Sequence, residues 1–173
     1  VSVAGFRPEK NHDGMVRALA GLEEHVHLML VGDGPLKAGI EVLAAELGVD
    51  GRVHFCGLMR DVRPALEAAD MMVMPSTAVE TFSMAMLEAM SMGLPPLVSA
   101  IGGQKEAFVQ DESGWSFPVG DQARFVALLQ QHTADRKALR KIGENARERV
   151  VECFSKAGMV RNVWKLLFGE MSE

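Results

Sequence analysis

Two carboxylates eight positions apart carry the clearest chemistry in this sequence: Glu80 follows a short apolar run that ends at Pro75, and Glu88 lies within a second apolar run, Phe82 to Met92. The second run is compatible with a helix, and Gly93 follows it as a stop signal, so it predicts a helix that is buried almost all round. Burial of an ionised carboxylate is costly unless the group is paired or used. The two acids therefore indicate a ligand site at the carboxyl end of a strand, where open α/β sheets bind their ligands.

The start of this predicted helix is suited to an anion. Free N–H groups and the helix dipole favour negative charge at a helix N-terminus, and a sugar-nucleotide diphosphate would fit there. The residues at this point are Thr81, Phe82, Ser83 and Met84. Two alternatives remain open, namely a core helix that binds nothing and a Glu80 that serves only as a helix cap.

Two cations and a glycine pair lie in other loops that follow predicted strands. Arg7 and Lys10 come after the first strand and could clamp a diphosphate, because cations offset charge that develops on a leaving phosphate. Gly102 and Gly103 follow the fifth strand and would allow close approach of the backbone to a ligand. Solvated loop cations and a plain turn are the respective alternatives.

Alternating strand-type and helix-type segments position these residues. Strand-type runs are predicted at 1–5, 27–31, 53–56, 71–74, 97–99 and 115–118, with helical segments between most of them. This alternation predicts an α/β fold, a Rossmann-like parallel sheet of about six strands with helices on both faces. Asp121, Asp135 and Ser155 are predicted to begin the last three helices as N-caps. No long linker divides residues 1–173, so we expect a single domain.

Composition excludes several classes of protein. The chain has 173 residues and a formal net charge of −5, which argues against nucleic acid as the main partner. The two cysteines, Cys56 and Cys153, show neither metal spacing nor a disulfide framework, so a reducing cytoplasm is the default expectation. No apolar run approaches the roughly 20 residues that span a bilayer. The chain opens on what reads as the interior of a strand, which predicts a fragment of a longer protein.

An ordered set of motifs resembles a known enzyme family. The Glu80-to-Glu88 spacing, with the residues around it, is similar to the Glu-x7-Glu signature of the retaining glycosyltransferases of family 4. Further matches follow in the family's order, namely 7–12, 31–36, 52–57, 93–95 and Gly102-Gly103-x-x-Glu106. These enzymes have the GT-B fold, with two Rossmann-like domains, and the resemblance covers only the C-terminal, donor-binding one. The chain is therefore expected to be one half of a GT-B fold.

The resemblance implies a role for each candidate residue. Glu88 would accept hydrogen bonds from the ribose hydroxyls and Glu80 from hydroxyls of the donor sugar, while the residues after strand three, Gly57, Leu58 and Met59, would contact the base. Catalysis would involve Lys10, Arg7 and Glu80. The commoner family pattern places an arginine directly after the strand's glycine and four or five residues before the lysine. Here Phe6 follows the glycine and Arg7 precedes Lys10 by three residues, so Lys10 is the closer match.

The same resemblance implies partners and location. The co-substrate would be a nucleotide sugar, a UDP- or GDP-sugar, with no metal and no other cofactor required. An N-terminal domain of the same protein would bind the acceptor, which is a glycan, a lipid-linked molecule or a small molecule, so the isolated chain would not transfer sugar. That domain would pack on an apolar C-terminal face comprising Met159, Val160, Val163, Trp164, Leu167 and Phe168. The location would be cytoplasmic, with any contact to the inner membrane face made by that domain.

Two rival functions stay open at this point. One is a sugar-nucleotide epimerase of similar two-domain fold, and the other is a non-catalytic module that binds a nucleotide sugar. The loop at 7–12 and the Glu80 and Glu88 pair favour the transferase.

Overall fold

Six parallel strands form the centre of the part of the chain that the structure describes. The structure is a computed structural model and describes residues 1–78 and 80–169. The strands are β1 (Ser2–Val3), β2 (Leu28–Val31), β3 (Val53–Gly57), β4 (Met72–Met74), β5 (Pro96–Ser99) and β6 (Trp115–Phe117). The helices are α1 (His12–Ala20), α2 (Lys37–Glu46), α3 (Arg63–Glu67), α4 (Met84–Ser91), α5 (Gln122–Thr133), α6 (Arg136–Cys153) and α7 (Lys156–Phe168).

The strands pair in two parallel groups that meet at Val1. The first group runs β1-β2-β3 and the second β4-β5-β6. At the junction the Val1 nitrogen donates to the Met71 carbonyl at 2.7 Å, and the Val73 N–H donates to the Val1 carbonyl at 2.9 Å. The resulting order, 3-2-1-4-5-6, is that of a Rossmann fold. The predicted parallel sheet with helices on both faces is confirmed.

Alternate strand residues face two separate apolar layers. Leu30, Val73 and Leu97 belong to one buried cluster, which includes residues of α1, α2 and α5. Met72 and Val98 belong to a second cluster, which includes residues of α3, α4 and α6. Side chains of a strand point alternately to opposite faces, so strands that are apolar at every position can bury both sides.

Polar side chains mark the starts of the later helices. Asp121 accepts from the Arg124 N–H, Asp135 from the Lys137 and Ala138 N–H groups, and Ser155 from the Gly158 N–H. These contacts confirm the three predicted N-caps.

Helix α4 is shorter and more exposed than the sequence predicts. It spans Met84–Ser91 rather than Phe82 to Met92, and Ser83 caps it by accepting from the Met86 N–H at 3.2 Å. Met84 is 65% exposed and Glu88 is also exposed. The prediction of a helix buried all round is therefore wrong, because one stripe of α4 faces away from its neighbours in the core.

Helices α4 and α6 approach closely at two glycines. A Cβ placed on Gly143 would lie 1.9 Å from the carbonyl oxygen of Gly93, which follows α4 in a left-handed conformation with φ +81°. No side chain fits in that space, so the packing of α6 on this end of α4 depends on a glycine at position 143.

Helix α7 has no buried residue among those described. Its apolar face is exposed, with Met159 at 59% and Phe168 at 66%, and the rings of Trp164 and Phe168 lie 4.6 Å apart. No helix within residues 1–78 and 80–169 has the length and apolar character needed to cross a membrane.

Replacing Gly143 with alanine should destabilise the fold. Because the new methyl group would collide with the Gly93 carbonyl, Gly143→Ala should lower the free energy of unfolding by about 1–3 kcal/mol. Gly39, in α2, is the matched control, since a Cβ there meets no atom within 4 Å. Gly39→Ala should raise the free energy of unfolding by about 0.5–1 kcal/mol. Urea unfolding measures both, and wild-type stability for Gly143→Ala would contradict the packing argument.

Candidate functional site

Three loops meet beyond the carboxyl ends of β1, β4 and β5. The first contains a 3₁₀ turn, Pro8–Lys10, and the second follows Met74. The Thr77 N–H donates to the Glu9 carbonyl at 2.8 Å, which joins these two loops. The third loop joins them through the Gly103 N–H, which donates to the Thr81 carbonyl at 2.7 Å. The fold thus brings together residues that the sequence separates widely.

An ion pair between Lys10 and Glu80 lies where these loops meet. The Lys10 Nζ contacts Glu80 Oε1, and the Ser76 hydroxyl donates to the same oxygen at 2.8 Å. The side chain of Lys10 is 21% exposed and that of Glu80 is 9% exposed. Removing charges from water offsets most of what such a pair gains, so this ion pair contributes little to holding the fold together.

The start of α4 borders this ion pair. The Ser83 side chain and carbonyl accept from the Met86 and Leu87 N–H groups, respectively. The earlier N–H groups of a helix have no intrahelical acceptor and, with the dipole, favour an anion. Thr81 and Met84 are exposed beside them, as a ligand contact requires. Since Ser83 is the cap, the alternative reading of Glu80 as a helix cap is wrong.

Glu88 lies on the exposed stripe of α4, four residues after Met84. Residues i and i+4 of a helix share a face, and Met86, Leu87, Ala89 and Met90 take the buried positions. The argument that Glu88 is a costly buried carboxylate is therefore wrong. An exposed carboxylate on the face that continues from the helix start is instead available to a ligand that lies along it.

The glycine pair after β5 is required by a neighbouring backbone. Gly102 has φ +58°, and a Cβ there would lie 1.8 Å from the Glu80 carbonyl oxygen. A Cβ on Gly103 would lie 3.0 Å from the Thr81 carbonyl oxygen. The Glu80–Thr81 backbone therefore lies against both glycines, which fix that segment in place, and close approach of these glycines to a ligand stays a prediction.

Phe82 packs within the protein. Its ring lies 5.5 Å from that of Phe154, just after α6, and it is half-buried. This contact attaches the end of α6 to the loop that carries Glu80.

The remaining predicted residues follow β1 and β3. The Arg7 side chain is exposed and has no ion pair with any residue that the structure describes. Gly57 turns the chain with φ +68°, Leu58 is 81% exposed, and Met59 is partly buried against the core. An exposed leucine at this edge offers an apolar surface for a flat ring. Within the described part of the chain, no three His, Cys, Asp or Glu side chains are grouped so that they could hold a metal ion.

Comparison with known proteins identifies the family. The profile of the glycosyl transferases group 1 matches residues 1–149. The chain belongs to this family. The lipopolysaccharide core biosynthesis glycosyltransferase LpsE of Rhizobium meliloti is 33% identical over 168 residues, which are 96% of this chain and 48% of LpsE. The N-acetyl-α-D-glucosaminyl L-malate synthase of Bacillus anthracis is 33% identical over 156 residues, covering 89% of this chain and 41% of that enzyme.

Solved structures agree on the fold. The crystal structure of Anabaena HepE in complex with UDP superposes with a TM-score of 0.90 at 23% identity, over 96% of this chain and 47% of HepE. This group 1 chain thus has the fold of one half of a GT-B glycosyltransferase. It spans about half the length of the relatives it matches.

Sequence reasoning assigned no role to His12, which follows the Lys10 loop. His12 is 2% exposed, and its ring stacks on buried Phe6 at 4.2 Å. Burial lowers the pKa of His12 to about 4, which nearby Asp13 partly opposes and nearby Lys10 reinforces. The imidazole is therefore neutral at physiological pH and serves as a flat packing group under the loop. The signal in the sequence was a histidine at the first position of an otherwise apolar helix face.

The pH dependence of stability should report this burial. Since the folded-state pKa of about 4 lies below the ordinary value, the unfolded chain binds a proton between about pH 6.5 and pH 4 that the folded chain does not. The free energy of unfolding should fall as the pH falls through this window, and His12→Phe should reduce the slope. Urea unfolding at about pH 7.5 and about pH 5 measures it. A variant with the wild-type slope would show that His12 is not responsible.

Proposed function

We propose that this chain is the donor-binding half of a retaining glycosyltransferase of family 4. The enzyme transfers a sugar from a nucleotide sugar to an acceptor in the biosynthesis of a glycan, polysaccharide or glycolipid. One observation carries the proposal: the Lys10 and Glu80 pair lies beside the capped start of α4. This is the switch point of the sheet, where β1 and β4 lie side by side and their following helices pack on opposite faces.

Cations and helix N–H groups would hold the diphosphate. Lys10, with Arg7 in the same loop, would bind the phosphate oxygens, and the first turn of α4 would bind them from the other side. The contact with Glu80 holds the ammonium group of Lys10 at a fixed place beside the start of the second loop. A charge placed in advance stabilises the leaving diphosphate as the bond to the sugar breaks. We propose that these cations do this work without a metal ion.

The remaining contacts would orient the nucleoside and the sugar. The exposed carboxylate of Glu88 would accept from the vicinal hydroxyls of the ribose. Leu58, with Gly57 and Met59, would contact the base. Glu80 would accept from hydroxyls of the donor sugar, and Gly102 and Gly103 would keep its backbone in place. Holding both ends of the donor fixes the reacting carbon relative to the acceptor.

The relatives support a nucleotide sugar as the donor. LpsE acts in the biosynthesis of the lipopolysaccharide core, and the HepE structure contains UDP. We therefore propose a UDP- or GDP-sugar as the co-substrate and a glycan, lipid-linked or small-molecule acceptor. Retention of configuration would follow from departure of the diphosphate on the face that the acceptor attacks.

A second domain would complete the enzyme. We propose that residues 1–173 form one domain and that an N-terminal domain of the same protein binds the acceptor and covers the exposed apolar face of α7. Closure between the two domains would exclude water from the donor. The chain alone would then bind a donor weakly and transfer no sugar, and a turnover assay on the chain, against the full-length protein, tests this.

Replacing Glu88 should weaken binding of nucleotides. Because Glu88→Gln removes a charged acceptor from the proposed ribose site, calorimetry should show a loss of about 1–3 kcal/mol for whichever of UDP and GDP the wild-type chain prefers. Glu88 is exposed, so its replacement should leave the fold intact. Glu46→Gln, at the last residue of α2, is the control and should bind the nucleotide with wild-type affinity. Unchanged affinity in Glu88→Gln would reject the ribose assignment.

Replacing Lys10 should affect phosphates selectively. Since its charge would contact the diphosphate, Lys10→Ala should weaken binding of UDP at least about tenfold more than binding of uridine. Lys137→Ala, an exposed lysine at the start of α6, provides the control. The two affinities can be compared by calorimetry or ligand-observed NMR. Equal losses for UDP and uridine would show that Lys10 does not contact the phosphates.

A further inference from the structure

A buried serine beside the ion pair has no place among the ligand contacts described so far. Ser76 follows Pro75, just beyond β4, and is fully buried. Its hydroxyl donates to Glu80 Oε1 at 2.8 Å. A serine hydroxyl has one proton to donate, so this hydrogen bond commits it to Glu80.

Ser76 is itself held from two directions. The hydroxyl of Ser99, the last residue of β5 and also fully buried, donates to the Ser76 carbonyl at 2.6 Å. The N–H of the next residue, Thr77, donates to the Glu9 carbonyl at 2.8 Å. The position of Ser76 is therefore fixed relative to both the sheet and the loop that carries Lys10.

The two oxygens of Glu80 have different environments. Both Lys10 and Ser76 contact Oε1. Within residues 1–78 and 80–169, no hydrogen bond to Oε2 is present. Each carboxylate oxygen can accept about two hydrogen bonds. The protein thus fills the acceptor capacity of one oxygen and leaves the other for a ligand.

We propose that Ser76 is a positioning residue for recognition of the donor sugar. By fixing Oε1, it fixes the plane of the carboxylate, so that Oε2 is presented to a sugar hydroxyl. The inference rests on the proposed function, because it takes the donor sugar as the ligand of Glu80. Without the Ser76 hydroxyl, Lys10 would be the one side chain among the described residues that still contacts the carboxylate. A lysine ammonium on a flexible four-carbon stem restricts the orientation of the carboxylate less than a hydroxyl that is fixed to the sheet does.

The test compares a nucleotide sugar with its nucleoside diphosphate. The probes are UDP-glucose and UDP, or GDP-mannose and GDP if the wild-type chain prefers guanine. Ser76→Ala should lower the affinity for the nucleotide sugar about five- to tenfold, the net effect of one typical hydrogen bond, and that for the diphosphate less than about twofold. Calorimetry gives both affinities. The ratio of the affinity for the nucleotide sugar to that for the diphosphate falls if recognition of the sugar is lost, and it stays constant if the whole binding site is disturbed.

A second buried serine provides the control. Ser113 is 3% exposed, and its hydroxyl accepts from the Val109 N–H at 2.8 Å, near the amino end of β6. Ser113→Ala should leave the ratio of the two affinities unchanged. If Ser76→Ala does not fold, Ser76→Cys carries the test, because it keeps the shape of the side chain with a weaker donor. Its ratio should fall about two- to threefold.

The outcomes separate this inference from the proposed function. An unchanged ratio of the two affinities in Ser76→Ala, whether both fall equally or neither falls, would overturn the positioning role alone. A wild-type chain that binds none of the four probes would overturn the donor site and this inference together. A ratio that falls in Ser76→Ala and not in Ser113→Ala supports it.

Discussion

The pairing of β1 with β4 is the constraint on which the rest of the structure depends. Two hydrogen bonds at Val1 join two three-stranded groups into one sheet in which the chain order reverses. Because the helices that follow β1 and β4 pack on opposite faces, the loops after these strands lie at the switch point of the sheet, where the hydrogen bond from the Thr77 N–H to the Glu9 carbonyl joins them. Lys10 comes from one of these loops and Glu80 from the other. The site is thus a consequence of strand order, and no local motif creates it.

The ion pair at this switch point contributes little to stability. The Lys10 and Glu80 pair is largely withdrawn from water, which offsets much of its attraction. What the pair provides is a cation and a carboxylate held at a fixed separation by Ser76, Ser99 and two close glycines. In the proposed donor site, this arrangement would let a charged ligand bind without reorganising the protein, which is the general requirement for electrostatic stabilisation of a leaving group.

Helix α4 shows why an apolar sequence is an incomplete guide to burial. Its residues are apolar at nearly every position, yet Met84 and Glu88 face outward. The helix packs on the sheet and on α6, where Gly93 and Gly143 bring the backbones together, and these two contacts leave one stripe uncovered. Glu88 lies on that exposed stripe, whereas the sequence argument had placed its carboxylate in the interior.

The sequence by itself determined the alternation of strands and helices, the three later N-caps and the list of residues around Glu80 and Lys10. These depend on local periodicity and on side chains near their own backbone, so they can be read without the fold. Only the tertiary structure decided that Lys10 and Ser76 both contact Oε1 of Glu80 and that the Glu80 backbone leaves no room for a side chain at Gly102. It also decided that Glu88 is exposed. The contacts of Lys10 and Gly102 with Glu80 join segments far apart in the chain, and the short-range contact of Ser76 depends on the hydrogen bond from Ser99 that fixes Ser76. The exposure of Glu88 depends on which helix face is covered. The order of the strands and the packing across the sheet set all of these.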